Sequence, residues 1–269
     1  MRYKSRYVGW MSFVLPFLVA TNSVSADVIV SPGKSLPNGG TKVPAITITG
    51  MIADTDVSRF LKAIEEAESD AHALGVKSKP YFIVFLDSPG GSVKAAMAIG
   101  REIRKSRPLS VTVPENGRCV SSCVLILAGG ASRAVYGRVG IHRPFLQEDI
   151  NYSPEDQKKT YSTLEKVIKD YLNEMNVPTA LYDTMFRIPP EKVRFLSAAE
   201  LQNYNLSEDD PYFKEADDAA IAKGFGLSKA QYVQYKAEIN RLCQSAPSAA
   251  EFHNCSERVL KKFTAKHLK

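Results

Sequence analysis

Behind a proline- and glycine-rich stretch, "VSPGKSLPNGGTKVP", apolar and polar positions fall into two alternating rhythms. "AITITGMI" switches between apolar and polar at nearly every step, the period of a strand with one buried face. "DTDVSRFLKAIEEAESDAHAL" spaces its apolar residues at helical intervals behind an Asp or Thr that can cap the first turn. "YFIVFLDS" is a continuous apolar run, which suits a strand covered on both faces. "SVKAAMAIGREIRKS" returns to helical spacing just after two glycines, and "LSVTVP" reads as the next strand.

Strand, helix, strand, helix, strand with short links predicts right-handed crossovers and a largely parallel sheet, so the expected fold class is α/β. From Ser153 to Met175 the spacing predicts one long amphipathic helix, and beyond Asp210 only helices, with a turn at "SAPS". The chain is therefore expected to divide into a signal segment (1–26), a flexible leader (27–44), an α/β domain (45–210) and a helical extension (211–269). No internal repeat is visible.

The first 26 residues have the layout of a secretory signal. Arg2, Lys4 and Arg6 precede an apolar core from Val8 to Ala20, and small residues end at "VSA" before Asp27. Cleavage after Ala26 and a periplasmic or secreted location are expected. A membrane anchor is the rival, but this core is shorter than the roughly 20 residues a spanning helix needs and is interrupted by Ser12 and Pro16. Removing three basic and no acidic residues lowers the formal charge from +6 to +3 over 243 residues, too small an excess to imply a nucleic-acid partner. The remaining charges are interspersed, as in "EDQKKTYSTLEKVIKDYLNE", the composition of solvated helix faces.

An oxidising compartment permits disulfides, and the four cysteines form two local pairs. Cys243 and Cys255 would close the turn in "RLCQSAPSAAEFHNCSERVL" between two helices. A metal site from Cys243, His253 and Cys255 lacks a fourth ligand with zinc-like spacing, and neither a metal nor another cofactor is expected.

Chemistry is concentrated in three stretches. "DSPGGSV" ends the buried strand and opens a helix, at the edge of a parallel sheet where ligands bind and where glycine N–H groups can face an oxyanion. It has neither the dinucleotide fingerprint nor the P-loop ending, and a tight turn with a Ser92 cap would also account for it. "GRCVSSCVLILAGG" brings Ser121 and Ser122 to the same edge, close to Gly90 and Gly91. A serine there can attack a carbonyl whose oxyanion is held by the first free N–H of its own helix and by a glycine N–H of the neighbouring turn. "GRVGIHRPF" offers His142 as the base, since His72 sits in a polar helix and His253 and His267 lie in the basic tail.

Taken together, "DSPGGSV", "GRCVSSCVLILAGG" and "GIHRP" resemble the Clp protease proteolytic subunit and its ClpP/crotonase superfamily, in particular secreted ClpP-like proteins of bacteria. The likeness spans Ala45 to Leu206 and closes on "RFLSAAELQNYNL"; residues 211–269 are not covered. The resemblance implies a ClpP/crotonase-like core of repeated β-β-α and βαβ units, Ser121 as nucleophile and His142 as general base. It further implies oxyanion donors at Gly91 and Ser122, with Gly90 setting the turn. Chemistry alone does not choose Ser121 over Ser122. Where the Clp subunit carries an Asp two residues before the Phe of "RFLS", this chain has Val193. An orienting carboxylate fixes the imidazole tautomer, so Asp183 or Glu191 would have to substitute. Alternatively, Lys158, Lys159 or Lys166 would serve as base, as in signal-peptide peptidases of the superfamily. Cys119 and Cys123 bracket Ser121, close enough in a turn for a bridge that would fix its backbone; two small residues packing a helix start is the plain alternative.

The expected function is an exported serine hydrolase, most simply an ATP-independent peptidase acting on peptides or unfolded chains. Export argues against an AAA+ ATPase partner, and the superfamily implies a homo-oligomer. A catalytically inactive relative that binds peptides is the alternative, and a crotonase-like acyl-thioester enzyme a third, which would need coenzyme A.

Overall fold

The computed structural model describes residues 25–32, 43–74, 82–106, 108–145, 153–246 and 249–267. Residues 1–24 of the expected signal segment and 33–42 of the expected leader lie outside these. The elements are, in chain order, β1 (Asp27–Ser31), β2 (Ala45–Ile52), α1 (Asp56–Ala73), β3 (Ile83–Gly91), α2 (Val93–Ser106) and β4 (Ser110–Val113). Then follow β5 (Arg118–Val120), α3 (Cys123–Gly129), β6 (Arg133–Val135), β7 (Arg138–Ile141), α4 (Pro154–Glu174) and α5 (Ala180–Phe186). The chain closes with β8 (Arg194–Phe195), α6 (Ala198–Asn203), α7 (Pro211–Gly224), α8 (Lys229–Cys243) and α9 (Ala249–His267).

The strands form one eight-stranded, mostly parallel sheet that branches at β3. Ile83, Val84 and Phe85 pair with β4, which pairs onward with β6, whereas Ser88 pairs with Cys119 of β5, which leads to β7 and β8. Antiparallel pairs occur only at the margins, β1 with β2 and β7 with β8. β1 corrects the expectation of a flexible leader: Val28 and Val30 pack on the core while the strand pairs with Ala45 to Thr49 of β2. Ser25 and Ala26, which cleavage after Ala26 would remove, are also packed. The Ala26 N–H and the Ser25 hydroxyl both donate to the buried Asp56 carboxylate.

The segment read as a turn, Ser88 to Gly91, is instead the end of β3. Thr49 pairs with Asp87 but Met51 with Gly90, so β3 carries one extra residue, a bulge around Pro89, which has no N–H to lose. Ser88 bridges the gap: its hydroxyl donates to Gly50 O at 2.6 Å and accepts from the Gly90 N–H at 3.1 Å. Ser92 then caps α2 by accepting from the Ala95 N–H.

Helix α3 is buried along its whole length. It crosses α2 so closely that a Cβ on Gly129 would strike Gly100 O, and one on Gly100 would strike the Tyr171 hydroxyl. That hydroxyl donates to Leu125 O at 2.6 Å and locks α4 onto both helices. Burial pushes the Tyr171 phenol well above its ordinary value.

Beyond the sheet, α7 to α9 have a second small core of Ala222, Leu227, Tyr232, Tyr235, Cys243, Val259 and Phe263. The expected Cys243–Cys255 disulfide joins α8 to α9, which removes both thiols from the metal-site alternative. No described helix is long and apolar enough to cross a membrane.

The extension is fastened at Asp210, the N-cap of α7, which is fully buried. Its carboxylate accepts from Arg104 at 2.8 Å and from Asn176 at 3.0 Å, with Arg133 at 3.6 Å. Burial alone would raise the Asp210 carboxyl, but the hydrogen bonds from Asn176 and Arg104 outweigh it and the net shift is downward. Arg133, by contrast, is pulled down to about 10 by burial and by Arg104 beside it. Asp210→Asn strands two buried guanidinium groups and should lower stability by about 3–5 kcal/mol. The folded-state value of Asp210 is depressed, so its contribution is complete above the unfolded carboxylate value of about 3.9 and lost as pH falls through the folded one. Denaturant titrations of wild type and variant should therefore differ most near neutrality and converge in acid.

Candidate active site

Ser121 stands between the end of β5 and the start of α3 with φ of 58°, in the left-handed region that costs a non-glycine residue about 1–3 kcal/mol. Three local constraints hold it there. Its N–H donates to Gly140 O at 2.9 Å, its carbonyl accepts from the Val124 N–H at 3.0 Å, and a disulfide joins Cys119 to Cys123 across it. Both cysteines are fully buried, with Cα atoms 5.2 Å apart, so the bridge ties the end of the strand to the first residue of the helix.

The glycines of β3 lie directly against this elbow. Gly90 has φ of 101°, and a Cβ there would come 2.7 Å from Ser121 Cβ. Gly91 has φ of 143°, and its Cβ would strike Ile52 O. Neither position can carry a side chain, which leaves bare backbone against the serine at Gly90 and against Ile52 at Gly91. Ser121 and Gly91 line a groove of about 990 Å³ walled mainly by apolar side chains, among them Ile52, Met97, Phe145, Leu164 and Val167. The two serines differ in burial: Ser121 is half-buried, whereas Ser122 is 2 % exposed and its hydroxyl has no hydrogen-bond partner among the described residues. At the N-cap of α3 the Ser122 N–H takes no backbone partner among the described residues, as expected of the first turn of a helix.

His142 follows β7 directly, on the strand paired with β5, where Val120 matches Gly140. It is 6 % exposed, its ring stacks on Phe145 at 6.0 Å between centroids, and Nδ1 lies 2.9 Å from Arg143 O. A carbonyl can only accept, so the proton of the neutral ring sits on Nδ1 and the lone pair on Nε2. No hydrogen bond joins His142 to Ser121 among the described residues; catalytic hydrogen bonds are commonly loose before substrate arrives.

The substitutes proposed for the missing carboxylate do not reach His142. In the β7–β8 register Gly140 faces Phe195 and Ile141 faces Arg194, and Val193, just before β8, has its side chain against Gly140, two residues before His142. Asp183 is turned to Lys169 at 2.8 Å instead, and Asp183 and Glu165 together raise the Lys169 ammonium above its ordinary value. Glu191 is exposed. Of the lysines, Lys166 pairs with Asp170 and Lys158 is exposed on α4; Lys159 lines the groove but is exposed, whereas a lysine base works as a desolvated amine. The Arg143 carbonyl went unnoticed from sequence; Pro144, which biases the residue before it toward extended backbone, was the available signal.

A branched parallel sheet, a bulged glycine strand and a strained serine elbow define a ClpP-like α/β protein. A sequence model of the Clp protease family matches residues 46–208, and the chain belongs to that family. Among solved structures it is similar to a serine-to-alanine mutant of the 1510-N membrane-bound stomatin-specific protease, at 22 % identity over 61 % of this chain and 76 % of that one, with a TM-score of 0.46.

The contact between Gly90 and Ser121 can be tested without any activity. Gly90→Ala should lower stability by about 1–3 kcal/mol. In a double-mutant cycle with Ser121→Gly, followed by denaturant unfolding, the two effects should be non-additive because the added methyl strikes the serine side chain.

Proposed function

We propose that the chain is a serine peptidase that cleaves peptides or unfolded chains, with Ser121 as nucleophile and His142 as general base. The observation that carries this reading is the Ser121 elbow, open to the groove and set against Gly90 and Gly91. In this reaction Ser121 Oγ bonds to the scissile carbonyl carbon as its proton passes to His142 Nε2, and the carbonyl electron pair moves onto oxygen. The Gly91 and Ser122 N–H groups receive that oxyanion, and the loss of one such donor typically costs about 10²–10³ in rate. Collapse breaks the C–N bond, and the amine leaves with the proton from His142. Water, deprotonated by the same nitrogen, then frees the acyl group and restores Ser121.

Membership of the Clp protease family supports protein or peptide substrates and assembly into a homo-oligomer. The signal-like start of the sequence and the two disulfides support export to the periplasm or beyond, where no ATP-driven unfoldase can be fuelled. The apolar groove supports recognition of an extended segment with a large apolar side chain. Val193 in the place of the Clp subunit's Asp favours a second reading, an inactive relative that binds peptides in the same groove.

A fluorophosphonate probe separates the two. Covalent labelling of the oxidised protein should disappear in Ser121→Ala, fall by at least about 100-fold in His142→Ala, and persist in Ser122→Ala. Absence of labelling in wild type from mildly acidic to alkaline pH, with peptide affinity retained, would select the binding module.

A further inference from the structure

His142 has no carboxylate partner among the described residues. Val193, which stands where the Clp subunit has its Asp and lies against Gly140 of the same strand, offers only methyl groups, at 45 % exposure. The charged groups around it are otherwise engaged or exposed. Arg194 of β8 pairs with Glu200, the Arg143 guanidinium lies over the Phe186 ring at 5.7 Å, Asp183 of α5 holds Lys169, and Glu191 and Lys159 are exposed. Nevertheless the ring is fixed on two sides, by the Phe145 stack and by the Nδ1–H bond to Arg143 O at 2.9 Å.

The geometry points to the backbone carbonyl of Arg143 as the group that orients His142, so that this site works as a serine–histidine pair with a peptide carbonyl in place of the third carboxylate. Arg143 is then a positioning residue acting through its main chain. Its peptide is suited to that role. The Arg143 N–H donates to Ile188 O at 2.8 Å, its side chain covers Phe186, and Pro144 restricts its backbone to extended conformations. A carbonyl fixes the tautomer as a carboxylate does, leaving Nε2 to accept the serine proton. Being neutral, it stabilises the imidazolium formed during attack less than a carboxylate would. The consequence is a correctly aimed but slow base. This inference rests on the peptidase reading for its kinetic arm but not for its structural one.

The structural arm is the 15N spectrum of the His142 ring in the full chain, at a pH where the ring is neutral. A proton on Nδ1 is expected, and a proton on Nε2 would overturn the assignment. The kinetic arm is Val193→Asp, with Val193→Asn as the neutral control of similar shape. The carboxylate should raise kcat at least about tenfold with little change in KM. It should also move the acidic limb of the kcat/KM profile to higher pH, since a neighbouring negative charge favours the imidazolium. The Asn variant should do neither. A folded Val193→Asp protein with unchanged kcat and an unmoved limb would sink the inference. If no variant turns over substrate but Nδ1 carries the proton, the peptidase reading fails while the orientation of His142 stands.

Discussion

Two guanidinium groups converging on one buried carboxylate hold this molecule together. Arg104 of α2 and Arg133 of β6 both donate to Ala128 O near the end of α3 and to Met175 O at the end of α4, so positive charge meets the carbonyl ends of two helices. Arg133 also donates to Asn205 O beyond α6, and Asp210 completes the cluster as the cap of α7. A single cluster thus joins the helix that follows Ser121, the long helix that covers it and the helical extension outside the family match. The arrangement is costly: two cations share one anion out of water, and the Arg133 Nε has no partner among the described residues.

The same helix is restrained at its other end. Where α3 meets β5, the disulfide and the Gly140 carbonyl hold Ser121 in a conformation it would not adopt unaided, and the bulged end of β3 brings the bare backbone of Gly90 against it. With both ends of α3 anchored and its whole surface buried, the strain at Ser121 cannot relax by a shift of the helix. Preorganisation of this kind is what acyl transfer requires, because donors already in place need no rearrangement as charge develops.

Much of this was legible in the sequence. Long segments with one clear period, such as residues 56–73 and 154–174, declare themselves because every residue on one face repeats the signal. The disulfide at Cys243 and Cys255 follows from a turn between two such helices. The short strands β5, β6 and β7, of three or four residues each, carry no period of their own, and their place depends on pairing partners far along the chain. For the same reason Ser88 to Gly91 read as a turn: its extended form is imposed by β2 and by the bulge, not by its composition. Ser121 and His142 were singled out by residue type and order. A main-chain carbonyl is common to every residue, and only Pro144, the next residue, marks the one at Arg143.

The packing of Tyr171 against Gly100, and of Gly100 against Gly129, sets a rule for how relatives of this chain can diverge. The phenol fills the space a side chain at position 100 would occupy, and the Gly100 backbone fills the space of one at 129. A larger residue at 100 is tolerable only with a shorter one at 171, which would leave Leu125 O inside the wall behind Ser121 in need of another donor. The three positions are therefore expected to exchange as a set across the family, and their joint drift would mark lineages in which the groove behind Ser121 has been rebuilt.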